Sequence, residues 1–340
     1  MKVPAAELKS IVRKLSAVQS PRILFAGPKA YAVGETITMI AGLGFDLGRF
    51  AVDAQKFKEV VSRSDSDVDL ELTDSKLRIK HKRSRIELPI ITDVVIHKTT
   101  PPTFTNSFNT KDLMAMLQFV SQASEKSDQF SYAGVISVLS SSGRLTAAAT
   151  DGKRVCIASG APTTLGTGFL IPTPVLSVLK ALSAPTIAIS EDSSSIYFQS
   201  EDVLVVARRL AKAFPSIEKV VPATFNLKIS VKAADMKSAL GDVKPVIEES
   251  QRLCLTVSKD SVMLDTNGES GSGASACPAI QIDPDPFDEG LDYKLTVNHG
   301  FLADFFNACD GDVIIGVNNE SSPLYLESNG KQLVMLTQKG

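Results

Sequence analysis

Apolar residues recur with the period of an α-helix at three widely separated places in the chain. Over residues 8–15, 113–120 and 236–243 they follow the spacing i, i+3, i+4, i+7. This spacing puts apolar side chains on one helix face, so we predict three amphipathic helices. The core positions predicted from this spacing are Leu8, Ile11, Val12 and Leu15, then Leu113, Met116, Leu117 and Val120, and finally Met236, Ala239, Leu240 and Val243.

The segments that lead into these helices are similar in sequence. Residues 3–10 read VPAAELKS, residues 231–238 read VKAADMKS, and residues 108–113, FNTKDL, are a weaker copy. Self-similarity at long spacing is typical of a repeated supersecondary unit. The sequence therefore predicts a fold built from internal repeats.

A second pattern recurs once within each repeat. Asp53, Thr173 and Asn298 each follow an apolar residue and precede a helix of about ten residues, so we predict that they are N-caps. After each helix, alternating apolar residues flank a short polar turn, over residues 68–81, 186–199 and 312–327. This pattern predicts a strand, a turn and a second strand.

Together the repeats predict an α+β protein of three tandem domains, each with two helices packed on antiparallel sheets. The predicted domains are residues 1–103, 104–222 and 223–340, with boundaries near the Pro101–Pro102 pair and Pro222. Residues 267–276, NGESGSGASA, are rich in glycine and serine, so we expect a loop inside the third domain.

Composition adds few constraints until charge is counted by segment. The sequence has no apolar run long enough for a membrane helix and no signal-peptide pattern, so we expect a cytoplasmic protein. The four cysteines and three histidines lack metal-site or disulfide spacing, which indicates free thiols and no metal.

The charge is distributed unevenly along the chain. The net charge is −2, but residues 1–103 carry 17 basic and 12 acidic residues, whereas residues 223–340 carry 9 basic and 17 acidic residues. This difference in charge between the two ends of the chain affects which partners the protein attracts and how copies of it associate.

No catalytic motif emerges from the sequence. Residues 268–273 lack the final glycine of a nucleophile elbow. Residues 265–268 match only the start of a calcium-binding loop, so we interpret them as a hairpin turn. The acidic strings at residues 65–69 and 283–285 could bind Mg²⁺, but their context favours solvated surface. We therefore expect no enzyme and no cofactor.

The residue types in two motifs are not accounted for by burial in a core or by the needs of a turn. These motifs are Ala149-Thr-Asp-Gly-Lys-Arg-Val155 and Phe214-Pro-Ser-Ile-Glu-Lys-Val-Val-Pro222. In this order, within three tandem repeats, they resemble the TDGHR and FPDYxxVLP motifs of the bacterial DNA polymerase III beta subunit, the beta sliding clamp. Residues 82–85, KRSR, resemble the GRSRF motif of the same family. The resemblance extends over essentially the whole chain and marks it as a divergent member.

The resemblance implies the DNA clamp fold and a head-to-tail homodimeric ring. Such a ring encircles double-stranded DNA without reading its sequence and acts as a replication processivity factor. The implied partners are DNA, a DNA polymerase, a clamp-loader ATPase and a second copy of the chain, with no membrane partner. The basic first domain would then face the acidic third domain of the other copy.

The resemblance also implies a hydrophobic pocket between domains 2 and 3 that receives a short linear motif from partner proteins. The family's usual histidine in the first motif is Lys153 here, and the closing residues also differ from the family pattern. The residues that match the pocket are Tyr132, Thr150, Gly152, Lys153, Arg154, Val155, Pro215, Val220, Ser321, Pro323, Met335 and Leu336.

Two further sets of residues follow from the ring. Cations on the helix faces that the sheets leave free would meet DNA phosphates, and residues at two domain ends would form the dimer interface. The predicted DNA-facing residues are Lys9, Arg13, Lys14, Arg22, Lys56, Lys58, Lys111, Lys180, Lys237 and Lys244. The predicted interface residues are Arg83, Arg85 and Ile86 in domain 1, and Pro245, Val246, Glu248 and Glu249 in domain 3, with Arg–Glu contacts between copies.

Two alternatives stay open at this point. One is a clamp-fold scaffold that dimerises but is not loaded onto DNA. The other is a metal-dependent nuclease or phosphoesterase that would use the acidic string at residues 65–69. The second requires Mg²⁺-dependent turnover, which neither of the other hypotheses predicts.

Overall fold

A computed structural model describes residues 1–96, 99–124, 134–165, 168–211, 213–282 and 292–338. The described chain is α+β, with antiparallel sheets and few helices. By contacts it forms two compact units, Met1–Met114 with Thr163–Ala211, and Ala115–Pro162 with Lys212–Gly340. The three-domain division made from the sequence stays a prediction.

The described part of the chain repeats one module six times: a strand, a helix, then three antiparallel strands. The odd-numbered modules are those whose helices the apolar spacing predicted. Module 1 comprises β1 (Lys2–Val3), α1 (Ala5–Ser16), β2 (Arg22–Ala26), β3 (Lys29–Val33) and β4 (Ile37–Gly42). Module 3 comprises β9 (Asn106–Asn109), α3 (Thr110–Ser121), β10 (Val135–Ser141), β11 (Arg144–Thr150) and β12 (Arg154–Pro162). Module 5 comprises β17 (Leu227–Lys232), α5 (Ala233–Val243), β18 (Arg252–Val257), β19 (Ser261–Gly268) and β20 (Gly271–Gln281).

The even-numbered modules contain the second predicted pattern. Module 2 comprises β5 (Arg49–Asp53), α2 (Ala54–Ser62), β6 (Val68–Leu72), β7 (Lys76–His81) and β8 (Ser84–Pro89). Module 4 comprises β13 (Phe169–Pro172), α4 (Val175–Lys180), β14 (Thr186–Glu191), β15 (Ser195–Ser200) and β16 (Val203–Arg208). Module 6 comprises β21 (Tyr293–Asn298), α6 (His299–Asn307), β22 (Asp312–Val317), β23 (Leu324–Ser328) and β24 (Lys331–Met335).

The sheets are built by joining the last strands of different modules. In the first compact unit, one sheet has the order β5-β2-β3-β4-β16-β15-β14-β9, and β4 pairs with β16. In the second, a sheet runs β10-β11-β12-β24-β23-β22-β17-β20-β19-β18-β21, and β12 pairs with β24. We call these two antiparallel pairings the joints. A smaller sheet, β1-β6-β7-β8, has β8 at its edge.

The helices bury the apolar faces that the sequence predicted. In α1, Leu8, Ile11, Val12 and Leu15 are buried, and the corresponding residues of α3 and α5 are buried as well. Burying a leucine-sized side chain contributes about 1.5–3 kcal/mol. Tertiary packing therefore stabilises helices that are only 9–12 residues long in α1, α2, α3, α5 and α6.

Two of the three predicted N-caps are confirmed. The side chain of Asp53 accepts a hydrogen bond from the amide of Lys56, and Asn298 accepts one from the amide of Phe301. Thr173 is not the N-cap of α4, because that position is Pro174. The Thr173 backbone carbonyl accepts a hydrogen bond from the amide of Leu176 at 3.0 Å.

The expected loop at residues 267–276 is wrong. The segment is paired backbone, because β19 and β20 continue in register up to the turn at Glu269 and Ser270. Small residues are needed there for packing: a Cβ on Gly273 would lie 2.8 Å from Cγ2 of Val246. The hairpin interpretation is therefore correct, but its turn follows residues 265–268 instead of occupying them.

The cysteines are free thiols, as predicted. Cys156, Cys277 and Cys309 are buried, and Cys254 is half-buried. Burial raises the pKa of Cys156 to about 12 and that of Cys277 to about 11. Since the thiolate is the reactive form, these two side chains are inert at neutral pH.

Removing an N-cap tests the local structure. Asp53→Ala and Asn298→Ala should each lower the free energy of unfolding by about 1 kcal/mol, because a helix amide loses its partner. Asp53→Asn keeps an acceptor and should retain most of the stability. Urea unfolding followed by circular dichroism measures all three variants, and equal losses for Asp53→Ala and Asp53→Asn would contradict the assignment.

Candidate functional site

The first of the two motifs forms the turn between β11 and β12. The Thr150 hydroxyl donates to the carbonyl of Arg154 at 2.7 Å, and Asp151 Oδ1 accepts from the amides of Lys153 and Arg154, both at 3.0 Å. Gly152 has φ of +85°, a conformation in which a Cβ is strained. The Thr-Asp-Gly sequence therefore fixes the turn, which leaves Lys153 exposed and Val155 half-buried.

Arg154 is the buried centre of this region. Its side chain is 4% exposed and forms ion pairs with Asp151 at 3.2 Å and with Asp304 of α6 at 2.9 Å. The guanidinium also donates to the carbonyl of Gln122, just after α3, and lies 3.9 Å from the ring centre of Phe301. Arg154 thus connects the turn to α6 and to the end of α3.

Sheet pairing brings five of the predicted pocket residues together. Arg154 is opposite Met335, Val155 is opposite Val334, and the amide of Leu336 donates to the carbonyl of Lys153 at 2.9 Å. Leu336 is 55% exposed, whereas Met335 is fully buried. Lys153, Val155 and Leu336 can therefore meet a ligand directly, and Met335 and Arg154 support them from beneath.

The other predicted pocket residues lie around this strand pair or outside it. Pro323 is half-buried directly before β23, whose Leu324 is opposite Met335, and Ser321 is exposed in the preceding connection. Pro215 and Val220 are half-buried in the Phe-Pro segment, on either side of a short 3-10 helix, Ile217–Lys219. Tyr132 lies outside the described residues.

Three of the predicted DNA-facing cations surround one groove between α1 and α2. Lys9 and Arg13 of α1 and Lys58 of α2 line a cavity of about 270 Å³, together with Val12, Val61 and Ser62. We call it the α1–α2 groove. An apolar floor with a cationic rim is suited to a phosphate backbone passing over it.

The remaining predicted DNA-facing residues differ in whether their charged groups are exposed or already engaged by other groups of the chain. Lys14 lies 3.7 Å from Asp202 and is mostly buried, and Lys237 donates to the carbonyl of Cys309 at 2.8 Å. Those two cations are thus engaged within the chain. The exposed ones are Arg22, Lys56, Lys111, Lys180 and Lys244.

The predicted interface residues of the first domain are at an open sheet edge. Arg85 and Ile86 belong to β8, and Arg83 is in the turn before it. The Arg85 guanidinium lies 2.6 Å from Glu87, which also contacts Lys76 and Arg78. Hydrogen bonds from these three cations lower the pKa of Glu87 to about 2, so it is ionised at neutral pH.

The predicted interface residues of the third domain lie beside β20. Val246 packs on Gly271 and Gly273, and Pro245 and Glu249 are exposed. Glu248 accepts a hydrogen bond from the amide of Glu269 at 2.6 Å, so its carboxylate already has a partner within the chain.

The first acidic string, residues 65–69, makes contacts with neighbouring cations. Asp65 lies within ion-pair distance of His81 and Lys82, and hydrogen bonds from those side chains lower its pKa. No cluster of three metal-ligating side chains occurs among the described residues, and residues 283–285 lie outside them. No helix in the described ranges combines the length and apolar character needed to cross a membrane.

Sequence reasoning missed the partners of Arg154. Asp304 and Phe301 are about 150 positions away, and Gln122 contributes only a backbone carbonyl. A local pattern contains no signal for such contacts, because only the folded sheets bring these residues to β12.

No protein-family model matches the sequence, and no curated protein sequence matches it. Solved structures do match. The DNA polymerase sliding clamp of Pseudomonas aeruginosa is 15% identical with a TM-score of 0.88, and the alignment covers 100% of this chain and 99% of that one. The DNA polymerase III beta subunit of Thermotoga maritima is 19% identical with a TM-score of 0.84 and the same coverage. The beta sliding clamp of C. crescentus is 18% identical with a TM-score of 0.88, covering 100% and 98%.

The chain therefore has the fold of a DNA sliding clamp over its whole length. More particularly, the fold is that of the DNA polymerase III beta subunits, at identities of 15–19%. The resemblance based on the two motifs is confirmed at the level of the fold.

Removing Arg154 should destabilise the second compact unit. Arg154→Met leaves the buried Asp151 carboxylate without its cationic partner, and losing one member of a buried ion pair costs about 3–5 kcal/mol. Asp304 is about half exposed, so Asp304→Asn, the matched control, should cost less than about 1 kcal/mol. Urea unfolding measures both, and equal effects would contradict the central role of Arg154.

Proposed function

We propose that this protein is a DNA sliding clamp, a processivity factor that forms a ring around duplex DNA and tethers a polymerase. The observation that carries the proposal is the way the sheets are joined. Both joints pair the last strand of an odd module with the last strand of an even module. With six modules, one such pair is left over, β8 and the first part of β20, because β20 pairs with β17 only through residues 279–281. A second copy of the chain can supply the missing partner of each.

Completing the leftover pair between copies gives a closed ring of two chains. When β8 of each chain pairs with β20 of the other, two identical joints close a cyclic head-to-tail dimer. Charge supports this pairing, because β8 belongs to the basic first third of the chain and β20 to the acidic last third. An open strand edge is otherwise a liability for aggregation.

The DNA contact proposed for this ring is electrostatic and weak. The α1–α2 groove has three cations on its rim. Of the other exposed predicted lysines, Lys56 is also on α2, Lys111 is on α3 and Lys180 is on α4. Phosphate contacts carry no sequence information, so the ring can slide. Topology rather than affinity then keeps the protein on DNA.

Partner proteins are proposed to dock at the surface formed by Lys153, Val155, Pro323 and Leu336. Val155 and Leu336 offer apolar contact, and Lys153 offers a charge for an acidic or polar position of a peptide. A short motif bound at such a surface dissociates readily, which suits exchange between a polymerase and a clamp-loader ATPase. The proposed function needs no metal, no cofactor and no catalytic residue, and it is exercised in the cytoplasm.

The proposal predicts topological retention on DNA. A clamp loader with ATP should place the protein on nicked circular DNA, where it stays through gel filtration at high salt. Linearising the circle should release it within minutes, because only the closed path of the DNA holds it. A protein that dimerises but is never retained on the circle would instead be the clamp-fold scaffold.

Charge removal in the α1–α2 groove tests the DNA contact. The triple variant Lys9→Ala, Arg13→Ala, Lys58→Ala should weaken binding to duplex DNA about 10-fold or more at low salt, and the slope of log K against log salt should fall. The matched control replaces three exposed cations on strands β3 and β7: Lys29→Ala, Lys76→Ala and Lys80→Ala. Equal losses in both triple variants would show that only net charge matters.

A further inference from the structure

The α1–α2 groove has a counterpart between α5 and α6. Helix α1 packs on α2, and α5 packs on α6 in the same way. The buried apolar faces of α1 and α5 align Leu8 with Met236, and the two N-caps align Asp53 with Asn298. Residues of the first helix pair can therefore be matched one by one with residues of the second.

Each residue that lines the α1–α2 groove has a counterpart that lines a cavity of about 400 Å³ between α5 and α6. We call this cavity the α5–α6 groove. The two grooves are thus one site that the internal repeat has duplicated. In this alignment, Lys9, Val12, Arg13, Lys58, Val61 and Ser62 correspond to Lys237, Leu240, Gly241, Ala303, Phe306 and Asn307.

Two of the three cations are missing from the α5–α6 groove. Arg13 is replaced by Gly241, and Lys58 is replaced by Ala303. Packing does not require a glycine at position 241, because a Cβ there would have no atom within 4 Å. Glycine also destabilises a helix relative to alanine. The loss of these side chains leaves the α5–α6 groove larger and less cationic than the α1–α2 groove.

The third cation, Lys237, is engaged within the chain. Its ammonium group donates to the carbonyl of Cys309 at 2.8 Å and lies 3.6 Å from Asp310, just after the end of α6. Carbonyls at a helix C-terminus lack partners within the helix, and a lysine stabilises them. Lys237 therefore supports α6.

The α5–α6 groove also contains a carboxylate, that of Asp304. This side chain is about half exposed and is held in place by the buried Arg154, 2.9 Å away. A phosphate entering the groove would approach a fixed charge of the same sign, which is unfavourable. The exposed Lys244 on the rim offsets that repulsion only in part.

Helix α3 lacks the same cations. Aligned through Leu113, its residues at the positions of Lys9 and Arg13 are Met114, which is buried, and Gln118. Among α1, α3 and α5, all within the described ranges, α1 alone has a cation at both positions.

We propose that this protein contacts duplex DNA through the α1–α2 groove and not through its repeat, the α5–α6 groove. The residues that decide between the two grooves are Arg13 and Lys58, with Gly241 and Ala303 in their places in the repeat. The inference rests on the ring proposed above and assigns its phosphate contacts to the first compact unit. In the second unit, the groove holds the docking turn instead, through Asp304 and Arg154.

Restoring the missing cations tests the inference by a gain of binding. The double variant Gly241→Arg, Ala303→Lys should bind a labelled duplex about 10-fold more tightly at low salt. The slope of log K against log salt should become steeper by about 1.8, because two phosphate contacts are added. Fluorescence anisotropy measures both quantities.

The matched control adds the same charges elsewhere. Ser75→Arg with Ser193→Lys places them at two exposed hairpin turns outside both grooves, so the affinity should change little. Circular dichroism establishes that both double variants fold. A folded Gly241→Arg, Ala303→Lys protein that binds DNA no more tightly than this control would overturn the inference.

Removing single lysines gives a second test that does not depend on the double variant. Lys58→Ala and Lys244→Ala each remove one exposed cation from the rim of a groove. Lys58→Ala should weaken duplex binding about 3-fold and reduce the salt slope by about 0.9, whereas Lys244→Ala should change neither.

The native chain is measured in the same assay to separate two kinds of failure. A native protein that does not bind duplex DNA at low salt overturns the proposed DNA contact and this inference with it. A native protein that binds DNA and loses affinity equally in Lys58→Ala and Lys244→Ala overturns only the choice between the grooves.

Discussion

The pairing of last strands between modules is the interaction on which the rest of the structure depends. The three strands that follow the helix of a module bury only one face of their sheet and leave an edge open. Joining β4 to β16 and β12 to β24 satisfies those edges with backbone hydrogen bonds and makes continuous sheets out of short hairpins. The helices then need to cover only one face, which leaves their other faces exposed.

This constraint explains why the residues at the joints differ from those at the strand edges that stay open. Residues at the joints are mostly apolar or small, such as Met39 opposite Val205, because both edges are buried in one chain. The edges that stay open, β8 and residues 271–278 of β20, instead carry charged or very small residues, including Arg85, Glu87, Gly273 and Ala274. Such residues keep an open edge soluble and still permit it to pair with one specific partner.

Much of this architecture could be predicted from the sequence because it depends on local periodicity. The apolar faces of α1, α3 and α5 and the hairpins of the even modules follow from residue spacing alone. The Gly/Ser-rich segment at 267–276 was misinterpreted because small residues indicate a loop locally, whereas here they make room for Val246. Thr173 was misassigned because the following proline changed how the helix begins.

The candidate site could be predicted only in part, because residue spacing shows local structure but not contacts between distant segments. The Thr-Asp-Gly turn is local, so the sequence identifies it, but the role of Arg154 depends on Asp304 and Phe301 in another module. Arg154 is buried, so its side chain holds the strand whose neighbours, Lys153 and Val155, are accessible. In the docking surface that we propose, the motif therefore acts as a rigid turn that presents Lys153 and Val155, and Arg154 acts through its ion pairs within the chain.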